Sequence, residues 1–243
     1  MGQQNFANQV VLYGRHAVMS ALKNKKREVL QLMILPENEA EIKKEFGAIN
    51  YKISTKKDFE KLLPQNAVHQ GFVLITKPLK TVFLEDLIEQ SRDLETCRIL
   101  ILDQVTDPQN IGAIIRSSAA FNTLGVVVQD KNAPFESGAM AKAAAGTMEL
   151  VPLVRVTNLV RAIELLKKNG FWIVGMDGYA KQSLKDVDKN AKLAVIMGAE
   201  GPGMRRLTEE ACDILVRLDI NPAVESLNVS AASAIVLYEL SKK

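Results

Sequence analysis

The stretch RILILDQVTDPQNIGAIIRSSAAFNTLGVVVQD, residues 98–130, contains the unit that organises the larger part of this chain. An apolar run of strand length (98–103) leads into a polar turn at Asp107-Pro108, a helical segment (111–121) and a second apolar run (125–130). The same rhythm continues outward through LVPLV (150–154), FWIVGMD (171–177), KLAVIMG (192–198) and ILVRL (214–218), with helical segments at 137–145 and 158–168. Strands that are apolar throughout and separated by helices predict an α/β fold with a parallel sheet covered on both faces. Phe171 and Trp172 read as core residues opening one of these strands. Ligands on such sheets bind beyond the carboxyl ends of the strands, so the polar segments there are the candidate site.

Upstream, residues 1–76 read as a separate, small α/β domain. Helices are expected over His16–Leu22 and Glu39–Phe46, with Thr55 capping a helix that bears Phe59, Leu62 and Leu63. VLQLMILP (29–36) predicts a buried strand and GFVLIT (71–76) another. Residues 77–96 read as a charged linker with a helical turn or more, which leaves 97–243 as the main domain. The formal net charge is only +3, yet residues 1–80 carry 13 basic against 7 acidic side chains. Lys23, Lys25, Lys26, Arg27, Lys43, Lys44, Lys52, Lys56, Lys57 and Lys61 make up most of that excess. Such asymmetry fits either a polyanion-binding module or ordinary solvated helix faces.

Composition narrows the chemistry. With 47% hydrophobic and 24% charged residues the chain is an ordinary globular one. Two cysteines, Cys97 and Cys212, make no disulfide framework, and with only His16 and His69 beside them no metal centre is expected. No run approaches a membrane span and no apolar signal core is visible, so a reduced, cytoplasmic protein is the expectation.

Three polar clusters follow strand ends. In the first (102–122), Asn110 stands near a helix start, where it either caps or projects into a cleft. Gly112 and Ala113 allow close approach, and Arg116 lies one turn on, as a site residue or a surface one. The second, MGAEGPGMRRLT (197–208), has glycines spaced G-x-x-G-x-G around a proline. That spacing matches neither the nicotinamide fingerprint nor a phosphate-binding P-loop, and Glu200 would repel phosphate while accepting hydrogen bonds from a ribose or a base. Arg205 and Arg206 face RNA or simply open a solvated helix. In the third, ESLNVSAASAIVLYEL (225–240), Ser226 or Asn228 is placed to cap the final helix.

In this order, DPQNIGAIIRS, GAEGPGM and ESLNVSAASAIVLYE closely resemble the three motifs of the SpoU/TrmH RNA ribose 2′-O-methyltransferases of the SPOUT superfamily. YGRHAV (13–18) and HQG (69–71) resemble the branch that methylates a guanosine ribose of large-subunit ribosomal RNA, so the likeness covers the whole chain. The resemblance implies a homodimer, S-adenosylmethionine as cofactor, a deep trefoil knot in the catalytic domain, and an N-terminal domain like the ribosomal L30e RNA-binding fold. The knot would use 171–178, 197–203 and 218–228, with Gly198, Leu218, Leu227 and Met176 against the cofactor. Arg116 becomes the main catalytic residue, assisted by Asn110, Glu200, Ser226 and Asn228. One departure stands out: the third motif usually opens Ile-Pro-Met, whereas here Leu218-Asp219-Ile220-Asn221-Pro222-Ala223 displaces the proline and introduces Asp219. Methylation of transfer RNA or of another ribosomal nucleotide is the nearest alternative. A non-catalytic RNA-binding assembly factor is the alternative outside the enzyme class, and a nicotinamide-dependent oxidoreductase is more distant still.

Overall fold

A computed structural model describes residues 8–242. The smaller part comprises β1 (Val10–Tyr13), α1 (Arg15–Lys23), β2 (Val29–Ile34), α2 (Glu39–Phe46), β3 (Lys52–Ile53), α3 (Lys56–Glu60) and β4 (Phe72–Thr76). Its sheet runs β1-β4-β2-β3, antiparallel except for the β2–β3 pair. Thr55 caps α3 in a reciprocal box, its hydroxyl accepting from the Asp58 amide while the Asp58 carboxylate accepts from the Thr55 amide at 3.0 Å. The helix stops at Glu60, so Leu62 and Leu63 pack beside Phe59 from beyond its end. β2 is buried only in its second half. Val29 and Leu30 are exposed, because the strand runs out past its cover there.

The segment 77–96 is more structured than a linker. It carries α4 (Leu84–Ser91), whose Leu84 and Leu87 are buried in the core of the larger part. That part continues with β5 (Cys97–Leu102), α5 (Pro108–Ala120), β6 (Gly125–Gln129), α6 (Gly138–Ala144), β7 (Leu153–Val156), α7 (Leu159–Lys168) and β8 (Trp172–Met176). The remaining elements are β9 (Gln182–Ser183), β10 (Lys192–Met197), α8 (Arg206–Glu210), β11 (Ile214–Arg217) and α9 (Val229–Ser241). The strands form one sheet in the order β7-β6-β5-β10-β8-β11-β9, and every pairing is parallel.

Alternation along β5 explains why its sequence is apolar throughout. Leu100 and Leu102 face Ile111, Ile114, Ile115, Val236 and Leu237 of α5 and α9, whereas Ile99 and Ile101 face Leu87, Ile163 and Leu166 of α4 and α7. Phe171 joins the second core as expected. Trp172 does not: it is 50% exposed, because the start of β8 lies at the open lower rim of the sheet.

The two parts meet at α6. Arg27, counted above among the basic excess, is withdrawn from solvent and clasps two carboxylates of the larger part, Glu136 at 2.6 Å and Glu149 at 2.5 Å. Its guanidinium also donates to the Lys77 carbonyl, and Asn24 donates to Glu149. At the other end of the seam, Lys142 of α6 donates to the Gln70 side chain at 2.8 Å, and that same oxygen accepts from the Arg15 amide. The YGRH and HQG stretches therefore lie at the domain seam. α6 in turn lies against α5 so closely that a Cβ on Gly112 would overlap the Met140 carbonyl and the Ala143 side chain.

Candidate active site

The carboxyl ends of β5, β10, β8 and β11, four neighbouring strands, open on one side of the sheet. Beyond β5, Asp107 caps α5 by accepting from the Gln109 amide, which frees the half-buried Asn110 to point elsewhere. It points at the third cluster: Asn228 donates to the Asn110 side-chain oxygen at 3.1 Å and to Glu200 at 2.7 Å. Glu200 also accepts from the Val229 amide at 3.1 Å, while the Asn228 oxygen accepts from the Ser230 and Ala231 amides and so caps α9. One asparagine thus joins all three clusters, with both of its amide protons and its oxygen committed.

Other residues are placed differently. Arg116 is exposed on α5 and, among the described residues, has no hydrogen-bond or ion-pair partner. A guanidinium left free on the surface is available to an external anion. Ser226 is exposed and stands outside the Asn110–Asn228–Glu200 junction. Gly198 is held by its own loop: Ala199 and Gly203 pair across a tight hairpin, and a Cβ on Gly198 would press into the Gly203–Met204 backbone. Gly201 and Gly203 both have positive φ in that hairpin, which explains a glycine spacing unlike any phosphate loop.

Met176 and Leu218 are partly buried against the main core, and Leu227 is half-buried. From Asp219 to Leu227, among the described residues, only the amides of Ala223 and Val224 are bonded, both to Asn221. Uncommitted main-chain groups beside apolar side chains are what a purine with a polar edge requires. The unusual Asp219 is tied instead to β9 and the turn that follows it. It accepts from the Ser183 hydroxyl at 2.8 Å and pairs with Lys185 and Arg217, contacts that hold its carboxyl below the usual carboxylate range, the Ser183 bond contributing most.

Two features escaped the sequence reading. Asp103, ending β5, is fully buried and accepts from the Arg205 amide at 2.9 Å and its Nε at 2.7 Å, while Arg205 also donates to Gln129. Arg205 is therefore a clamp on the second loop, and Arg206 pairs with Glu210 on the surface. An acid closing an apolar strand was the visible signal. Tyr179, 90% exposed, follows the β8 end. Neither histidine is in the cluster: His16 is exposed, and His69 accepts from the Gly71 amide with its ring edge-on to Phe59. Burial, the largest influence, lowers the His69 pKa. Burial also raises the thiol of Cys97 and pushes that of Cys212 up to about 12, so neither is a ready nucleophile.

Residues 98–238 match the SpoU rRNA Methylase family, and residues 11–82 match the RNA 2′-O ribose methyltransferase substrate binding family. A Shewanella oneidensis protein named 23S rRNA (guanosine-2′-O-)-methyltransferase RlmB is 37% identical over 95% of this chain and 96% of its own. A Pseudomonas putida protein of the same name is 39% identical over 94% of each chain. In fold, the chain is similar to the SpoU methyltransferase AviRb from Streptomyces viridochromogenes solved in complex with AdoMet (TM-score 0.80, 21% identity, 99% of this chain and 93% of that one). The chain belongs to the SpoU rRNA methylase family.

Proposed function

We propose that this protein transfers a methyl group from S-adenosylmethionine to the 2′ oxygen of a guanosine in 23S ribosomal RNA. Relatives of that name match nearly the whole chain. The observation that carries the reading is the junction of Asn110, Glu200 and Asn228 at the carboxyl ends of the parallel strands, with Arg116 on the same helix as Asn110. When bound, the cofactor supplies a methyl group already activated on a sulfonium. The protein's task is then orientation and charge placement. Arg116, a planar guanidinium donor, grips the phosphate beside the target ribose and aligns the hydroxyl. Asn110 and Asn228 hold α5 and α9 in register while Glu200 anchors the second loop to the start of α9. Ser226 lies on the exposed approach to this junction, where it would contact the incoming ribose. Gly198, Leu218, Leu227 and Met176 line the cofactor slot, and the order β10-β8-β11-β9 supports a trefoil knot around it.

Residues 8–76 form the RNA-capturing domain of this reading and 97–242 the transferase, with α4 of the connecting segment packed on the latter. Among the described residues, Lys25, Lys26, Lys44, Lys52, Lys56 and Lys57 are exposed without an ion pair, whereas Lys23, Lys43 and Lys61 are paired with acids and Arg27 is buried. The place of action would be the cytoplasm, and no helix among the described residues is long and apolar enough to cross a membrane. A test is incubation with unmodified, transcribed 23S RNA and labelled cofactor, followed by mapping of 2′-O-methyl positions. One modified guanosine ribose is expected; label on a base, or none, would overturn the reading.

A second copy fits the outer face of α9, where Ile235 and Tyr238 are exposed and the Tyr238 ring lies 5.9 Å from that of Phe121. Light scattering should give a dimer that Tyr238→Glu converts to a monomer; a monomeric wild type would refute the pairing.

A further inference from the structure

The loop between β6 and α6 holds one large apolar side chain out into solvent. Phe135 is 76% exposed, an unremarkable fact for a phenylalanine on its own. What distinguishes it is the support behind the ring. The Arg155 guanidinium lies 4.5 Å from the ring centroid, covering one face. That guanidinium is itself immobilised: it donates to the Asp130 carboxylate at 2.7 Å, to the Ala133 carbonyl at 2.7 Å, to the Pro134 carbonyl at 2.9 Å and to the Asp130 carbonyl at 3.1 Å. The loop backbone is thus wrapped around Arg155, and the ring is held as a flat plate with its other face open.

Its location is informative. The loop leaves the carboxyl end of β6, next to β5, whose own end carries Asp103. Gln129, the last residue of β6, accepts from Arg205 of the second loop, and the residue after Phe135 is Glu136, the partner of Arg27 in the domain seam. The plate therefore stands on the side of the sheet where the candidate site opens, beside the junction with the basic domain. A rigid aromatic face, backed by a cation and flanked by a basic module, matches the physics of single-stranded RNA binding, in which an unstacked base lies on the ring.

We infer that Phe135, held by Arg155, is a stacking platform for an RNA base flanking the methylated nucleotide. This rests on the RNA methyltransferase reading above. Phe135→Ala should weaken binding of transcribed 23S RNA and raise its KM by about tenfold, the loss expected for one base stack. Cofactor affinity and single-turnover kcat should stay at wild-type values. Phe135→Trp should retain RNA affinity, and Phe135→Leu, apolar without a π face, should behave like the alanine variant. Equal RNA binding by wild type and Phe135→Ala, or full rescue by leucine, would overturn the inference while leaving the methyltransferase reading intact. A change of oligomeric mass in Phe135→Ala would overturn it too, by assigning the ring to a subunit contact. A wild type that transfers no methyl group to RNA ribose would remove both.

Discussion

Arg116→Ala is expected to lower methyl transfer to RNA by about 10²–10³-fold, the range seen when a preorganised donor at the reacting centre is removed. The fold should not notice. Arg116 is exposed on α5 and, among the described residues, unpaired, and surface changes of that kind shift stability by about 0.5 kcal/mol or less. S-adenosylmethionine binding, read by calorimetry, should also be unchanged, because the residues proposed to line the cofactor slot, Met176, Leu218 and Leu227, belong to other segments. Arg116→Lys separates charge from geometry. A lysine keeps the positive charge but loses the planar fork that grips a phosphate at two points, so only partial recovery is expected. Turnover retained in Arg116→Ala would remove Arg116 from the reaction altogether.

The largest effect on stability is expected from Arg27→Met. Arg27 is wholly buried, with Glu136 and Glu149 at 12% and 6% exposure. Removing the cation leaves two carboxylates close together in a poorly solvated seam, a situation that costs about 3–5 kcal/mol for a broken buried pair. Chemical denaturation should show a lower midpoint, with the smaller domain loosened first. A companion variant guards against simple misfolding: Arg27→Met combined with Glu136→Gln and Glu149→Gln removes every charge at once and should regain most of the loss. An unchanged midpoint in Arg27→Met would mean that the seam is solvated in solution.

The strands and helices of the larger part were legible because each obeys one period. The runs at 98–103, 125–130 and 192–198 became β5, β6 and β10 with ends moved by a residue or so. Failures cluster where tertiary context decides. β9 has two residues and no apolar signal, and exists because β11 lies beside it. Trp172 was assigned to the core on hydrophobicity alone, whereas its position at a strand's first residue leaves it at the rim. In the candidate site, the motifs offered Asn110, Glu200 and Asn228 as candidates but not the way they meet. Asn228 bonding Asn110 spans 118 positions of sequence, and no local pattern encodes that distance. Arg27 looked like one more basic side chain because an ion pair with Glu149, across 122 positions, is equally invisible.

The seat on α6 has a consequence for how a substrate is measured. The smaller domain is fastened to α6 through Lys142 and to the segments on either side of it through Glu136 and Glu149, and α6 lies without a gap against the helix that bears Asn110 and Arg116. A module on a slack tether searches a volume, and its effective concentration at the second site falls as the tether lengthens. Here there is no slack to search. On the proposed reading, the protein works as a caliper with fixed jaws: an RNA gripped at one end offers the other only the nucleotide at a set span, so selectivity follows from the shape of the folded RNA as well as from its bases.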